Sequence, residues 1–219
     1  MPAALAVVSR RTNPERSAAT RGRLLDATIE TLADLGYARA TTSEVAARAG
    51  VSRGAHLYHF RTREELIAAA VTHLFDRRVR ELRAALTPRK TQVERALAVI
   101  DFLWAQARGS SFAAWIELCV AARTDAALRA QIRPLWSRFA RVVQNVHREL
   151  FRNAARTTTP DVSPFFALVF LQGLALDRGV VGDRRHVGEL IDALKRLAAL
   201  VVAGSTPARR RRRRRSRHV

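Results

Sequence analysis

Apolar residues recur at spacings of three and four from Thr20 almost to Gly204, and no strand-like alternation of useful length interrupts them. Leu25, Ile29 and Leu32 share one helical face, and Gly36 after Leu35 supplies the terminator this first helix needs. Thr41 and Glu44 have the capping-box spacing and open a short helix with Val45, Ala46 and Ala49 turned inward, which Gly50 stops. Ser52 caps the next short helix. Thr62 with Glu65 then opens a long one carrying Leu66, Ile67, Ala70, Leu74, Val79 and Leu82 as far as Pro88.

Thr91 with Glu94 starts a helix to about Arg108, Gly109-Ser110-Ser111 breaks it, and another runs from Phe112 to Arg123. Thr124 or Asp125 caps a long helix to about Ala155, kinked at Pro134, and a loop follows. Phe165 to Arg178 is apolar nearly all round, whereas Val187, Leu190, Ile191, Leu194, Leu197, Ala198 and Val201 keep the spacing of a bundle helix. The prediction is an all-α protein of about nine helices, four within residues 20–86 and five within 91–203. The expected segments are a flexible basic arm (1–19), an N-terminal head (20–80), a helical body (81–204) and a disordered Arg-rich tail (205–219).

Composition narrows the class. With 219 residues, 48% of them hydrophobic, the chain has material for one large or two modest globular domains. The longest apolar runs, Phe165 to Leu171 and Leu197 to Ala203, fall far short of the roughly 20 residues that cross a bilayer, so no membrane partner is expected. The N-terminal MPAALAVV has no basic segment ahead of its apolar stretch, which predicts a cytoplasmic protein. A lone Cys119 can neither close a disulfide nor build a structural metal site.

The net charge of +20 points to a polyanionic partner. Eight of those charges are arginines of the segment 208–219, so the rest of the chain still carries +12. Between Val45 and Arg63 there are four arginines and no acidic residue, which concentrates positive charge beside two short helices. Those helices meet at Ala49-Gly50-Val51-Ser52. Gly50 permits the sharp turn, Val51 plugs the angle, and Ser52 caps a second helix whose outer side chains can enter a major groove of double-stranded DNA. The head therefore reads as a three-helix, helix-turn-helix DNA-binding domain.

The run GYARATTSEVAARAGVSRGAHLYHFRTREEL, residues 36–66, resembles the TetR family of bacterial transcriptional regulators. The resemblance implies that Thr41 and Thr42 touch phosphate, and that Ser52, Arg53, Gly54, Ala55, His56, Tyr58 and His59 lie on or beside the recognition helix. It also implies that Arg63, where the family usually has Lys, holds phosphate. Counted without a gap, the family's apolar position falls on His56 and its phosphate-binding Tyr on Leu57. Either His56 is buried, or the helix is rotated so that Leu57 packs inward and Tyr58 takes the phosphate. Rotation is favoured, because an unpartnered imidazole in a core is costly.

The resemblance further implies a homodimeric repressor, with the last two helices forming the dimer interface and the body binding a small molecule. Large aromatics concentrate in the body, where Phe102, Trp104, Trp115, Cys119, Phe139, His147 and Phe166 are candidates to line a pocket for an unknown apolar effector. The effector would select a conformation whose recognition helices are wrongly spaced for the operator palindrome. The alternative is an effector-independent, Arg-driven nucleic-acid-binding structural protein. No Ser/His/Asp, metal or Gly-rich phosphate constellation stands out, so neither an enzyme nor a bound cofactor or metal is expected. His56 and His59 alone make no first shell, and Cys119 reads as a small buried thiol.

Overall fold

The computed structural model describes residues 12–85, 91–150 and 163–204. The chain enters its first helix at Asn13, seven residues before the apolar periodicity predicts. Thr12 and Glu15 form the reason: the Thr12 amide donates to the Glu15 carboxylate at 2.7 Å, and the Glu15 amide donates to the Thr12 hydroxyl. Pro14 sits in the first turn, where its missing N–H costs nothing. The stretch 13–19, expected to belong to a loose arm, is therefore helical. Residues 1–11 and the Arg-rich tail lie outside the described residues.

Nine helices follow in order among the described residues, and no strand: α1 (Asn13–Arg39), α2 (Thr42–Ala49), α3 (Arg53–His59), α4 (Arg63–Ala85), α5 (Gln92–Gln106), α6 (Ser110–Ala121), α7 (Ala126–Leu150), α8 (Ser163–Val181) and α9 (Arg184–Gly204). The caps that fix them are the predicted ones in most cases. The hydroxyls of Thr41, Ser52, Thr62 and Thr91 each accept an amide three residues on. Asp125, rather than Thr124, caps α7 by accepting the Leu128 amide at 2.9 Å, and α7 continues through Pro134 as one helix. Gly50 ends α2 in the left-handed conformation, with φ at 60°.

The described helices form two compact units. The first holds α1 to α3, α4 up to Val79, α6, and α7 up to Ala140; the second holds the rest of α4 and α7 with nearly all of α5, α8 and α9. Compactness thus cuts across the linear division at residue 80, because α6 packs along α1.

In the first unit, Leu24, Leu25, Ile29 and Leu32 of α1 are buried, as are Leu66, Ile67, Val71 and Leu74 of α4. Each such side chain contributes about 1.5–3 kcal/mol on leaving water. Phe75 is the centre of an aromatic group, stacking on Phe139 at 4.4 Å and meeting Trp115 edge-on at 5.1 Å, while Trp115 stacks on Trp136. Polar ties join the same helices. Asp26 of α1 pairs with His73 and Arg77 of α4 at 3.1 Å each, and Arg77 donates to the buried Ser111 hydroxyl of α6 at 2.7 Å.

The second unit has its own core of Ile100, Leu171, Leu174, Val187, Ile191 and Leu194, with Lys195 paired to Asp101 at 2.5 Å. Here α8 is apolar on two faces, as its sequence predicts: Leu168, Leu171 and Leu174 point in, while Phe166, Val169 and Leu176 stay exposed.

Gly36 ends the regular part of α1 as expected, with φ at 75° and ψ at 169°, although one further helical turn follows it. A Cβ built there would lie 2.9 Å from the Glu117 carboxylate of α6. Replacement of Gly36 by Ala is expected to destabilise by about 1–3 kcal/mol, because a side chain rarely adopts this backbone conformation. Removing the carboxylate as well, in Gly36→Ala/Glu117→Ala, should restore little, since the carboxylate can swing aside and the backbone strain remains. Gly22→Ala, at an open helical position, should instead stabilise by about 0.5–1 kcal/mol. Urea unfolding of the three variants checks both signs.

Candidate nucleic-acid interface

α3 is only seven residues long, and its surroundings decide which of its sides is inside. Ser52 accepts the Ala55 amide at one end, and at the other the Phe60 amide donates to the His56 carbonyl at 2.9 Å. Phe60, just beyond the helix, is buried, with the Arg21 guanidinium of α1 5.2 Å from its ring centre. The inward side chain of α3 itself is His56, 3% exposed, whereas Leu57 is 48% and Tyr58 81% exposed. The recognition helix is therefore not rotated. The family's register is kept without a gap, His56 occupies the apolar position, and Leu57 faces out.

The rotation expected from the sequence fails for a physical reason. Turning α3 to hide Leu57 would also displace the Ser52 cap and the Phe60 anchor that flank it, so the helix accepts the less apolar residue in the fixed slot. The cost is visible: Nε2 of His56 has no hydrogen-bond partner among the described residues. Burial, and then the neighbouring His59, hold the His56 imidazole below its ordinary range. Among the described residues no group of three or more His, Cys, Asp or Glu side chains could hold a metal.

The remaining candidates divide into exposed and engaged groups. Thr41, Ser52, Arg53, Gly54 and Tyr58 are exposed, while Thr42, Ala55 and His59 are half-buried, with the His59 ring edge-on to Tyr58 at 5.1 Å. Of the four arginines between Val45 and Arg63, Arg48 is paired with Asp34 at 2.6 Å, and Arg63 donates to the carbonyls of Tyr37 and Ala40. Arg53 and Arg61 stand on the exposed surface. Leu57 and Arg61, absent from the expected set, are exposed as well. The signal for Arg61 was the acid-free stretch itself, and for Leu57 the family register read literally.

The pocket candidates are divided between the two units. Trp115, Cys119 and Phe139 lie in the first unit, where Trp115 and Phe139 are buried in the aromatic group around Phe75. Phe102, Trp104, His147 and Phe166 lie in the second, where Trp104 packs on the α5, α8 and α9 core and Phe166 is exposed, stacked on Phe170 at 6.3 Å. Burial pushes the Cys119 thiol up to about 11, which keeps it neutral and unreactive near pH 7. Among the described residues no helix is long and apolar enough to cross a membrane.

A tight turn presenting one short helix, with its inner side anchored and its outer side bare and basic, defines a helix-turn-helix DNA-binding head. Residues 24–70 match the pattern that defines the bacterial regulatory proteins of the tetR family. An uncharacterized HTH-type transcriptional regulator of Mycobacterium tuberculosis is 31% identical over 199 residues, spanning 89% of this chain and 98% of that protein. The regulator CymR of Pseudomonas putida is 34% identical over 137 residues, 63% of this chain and 68% of that one. The crystal structure of a transcriptional regulator from Rhodococcus sp. Rha1 superposes with a TM-score of 0.66 at 26% identity, covering 84% of this chain and 96% of the other. The chain belongs to the tetR family and is a DNA-binding transcriptional regulator.

The buried imidazole makes a pH prediction. Because the folded state holds His56 below its unfolded value near 6.5, the unfolded chain binds the extra proton. Stability tied to His56 is complete above that value and is lost as pH falls below it. His56→Leu should raise stability at pH 7.5 by about 1–3 kcal/mol by removing the unpaired Nε2. Its advantage over wild type should widen between pH 7 and 5. A gap that stays constant with pH, measured by urea unfolding at each pH, would contradict a buried neutral His56.

Proposed function

We propose that this regulator is a homodimeric repressor which reads palindromic operator DNA with the outer face of α3 and is released by an apolar small molecule. The observation that carries the reading is the orientation of α3, with His56 inside and Arg53, Leu57 and Tyr58 outside. Arg53 at the first helical position is a candidate for guanine edges, and Tyr58 and Thr41 for phosphate oxygens. Leu57 offers an apolar contact, of the kind thymine methyl groups accept.

The exposed apolar residues of α8 and α9 support the dimer. Phe166, Val169, Val180, Leu197 and Leu200 would leave a large wet apolar surface on a monomer. Two copies joined there would present two recognition helices to half-sites about one DNA turn or more apart. The effector rests on family membership, since regulators of this family bind small-molecule ligands. In this reading residues 20–80 bind DNA and residues 81–204 bind effector and partner, and effector binding shifts the population away from the DNA-competent spacing.

Arg53→Ala is expected to weaken binding to the preferred operator by about 1–3 kcal/mol and to relax base preference there, whereas Tyr58→Phe, which removes the hydroxyl proposed for phosphate, should weaken all duplexes alike. Titration by fluorescence anisotropy against operator and random duplex separates the two. Unchanged affinity for both variants would sink the α3 reading.

Leu200→Asp, at an exposed position, should yield a folded monomer in sedimentation at micromolar concentration. Leu194 is a core residue of the second unit, so its replacement would report on folding instead. A wild type that sediments as a monomer under the same conditions would overturn the dimer.

A further inference from the structure

The guanidinium of Arg63 is held on three sides. Its Nε donates to the Ala40 carbonyl at 2.9 Å, one Nη donates to the Tyr37 carbonyl, and its Cζ lies 4.1 Å from the centre of the Tyr37 ring. Arg63 is the first residue of α4, and Tyr37 and Ala40 belong to the end of α1. Between these two points, 26 positions apart, lies the whole helix-turn-helix. One side chain therefore ties the place where the chain enters α2 to the place where it leaves α3.

The chemistry suits arginine specifically. The carbonyls at the end of α1 lack helical partners, and the negative end of the helix dipole favours a cation beside them. A planar fork can donate to two carbonyls while stacking on a ring, which the compact ammonium of lysine cannot do. The same contacts leave the guanidinium half-buried and turned toward its own backbone.

We propose that Arg63 is a positioning residue, a clasp that fixes the orientation of α2 and α3, and is not a phosphate contact. The inference rests on α3 being the DNA-reading helix, and its test includes an arm without DNA. In that arm, amide hydrogen exchange of the free protein is followed at Val45, His56 and Phe60 for wild type, Arg63→Lys and Arg63→Ala. Both variants should exchange faster at these amides by about tenfold, the effect of losing charge-assisted hydrogen bonds. In the DNA arm, both should lose operator preference over random duplex by a similar factor while the dependence of affinity on salt keeps its wild-type slope.

A phosphate contact gives the opposite pattern. Arg63→Lys would then match wild type in exchange and affinity, and Arg63→Ala would weaken operator and random duplex alike with a salt slope lower by about one. That pattern overturns the clasp. If Arg63→Ala does not fold, Tyr37→Leu serves in its place, because it removes only the stack. Faster exchange in the same segment supports the proposal, and wild-type exchange in both Tyr37→Leu and Arg63→Lys overturns it. A wild type without sequence preference would contradict the DNA reading and leave the exchange arm to decide the clasp.

Discussion

A helix of seven residues cannot hold its own shape in water, because the cost of nucleating it exceeds what two turns of hydrogen bonds return. α3 therefore depends on its neighbours for its existence as well as its orientation. Its N-terminus is capped by Ser52, its exit is anchored by buried Phe60, and its one inward residue is His56. The turn before it requires Gly50 in the left-handed conformation, and the break inside α1 requires Gly36 at another positive φ. With both ends of the segment fixed against α1 and α4, the outer face of α3 is free of structural duty. That freedom is what the proposed recognition role of its exposed side chains requires.

Much of this was legible because the signals were local. Thr41 with Glu44, Ser52, Thr62 with Glu65 and Thr91 with Glu94 each mark a helix start by a hydrogen bond that spans three residues, and the structure makes all four. Thr12 with Glu15 is the same signal. The first two turns of α1 carry no apolar stripe, so apolar periodicity gives no sign of a helix there. What periodicity cannot show is which helices pack together. The placement of α6 along α1 depends on contacts far apart in sequence, and so did the grouping of helices into units.

α3 departs from its sequence expectation for a different reason. The desolvation of an imidazole taken alone favours rotation. Rotating α3 would have cost the cap and the Phe60 anchor as well, so the slot kept its register and took His56. Arg63 shows the converse. Its charge and its place in the family pattern suggest phosphate, whereas its Nε and one Nη donate to the Ala40 and Tyr37 carbonyls inside the head. Of the four arginines from Val45 to Arg63, two are spent on structure, so charge counted along a sequence overstates the charge offered to a ligand.

The central claim is that the outer face of α3, presented twice by a dimer, reads a specific duplex sequence. Selection from a pool of random duplexes with purified protein at physiological salt tests it most directly, because it needs neither the operator nor the effector in advance. The expected result is recovery of an inverted repeat whose half-sites are about one helical turn or more apart. Recovery of no consensus, with every duplex bound alike and released alike by salt, would contradict it.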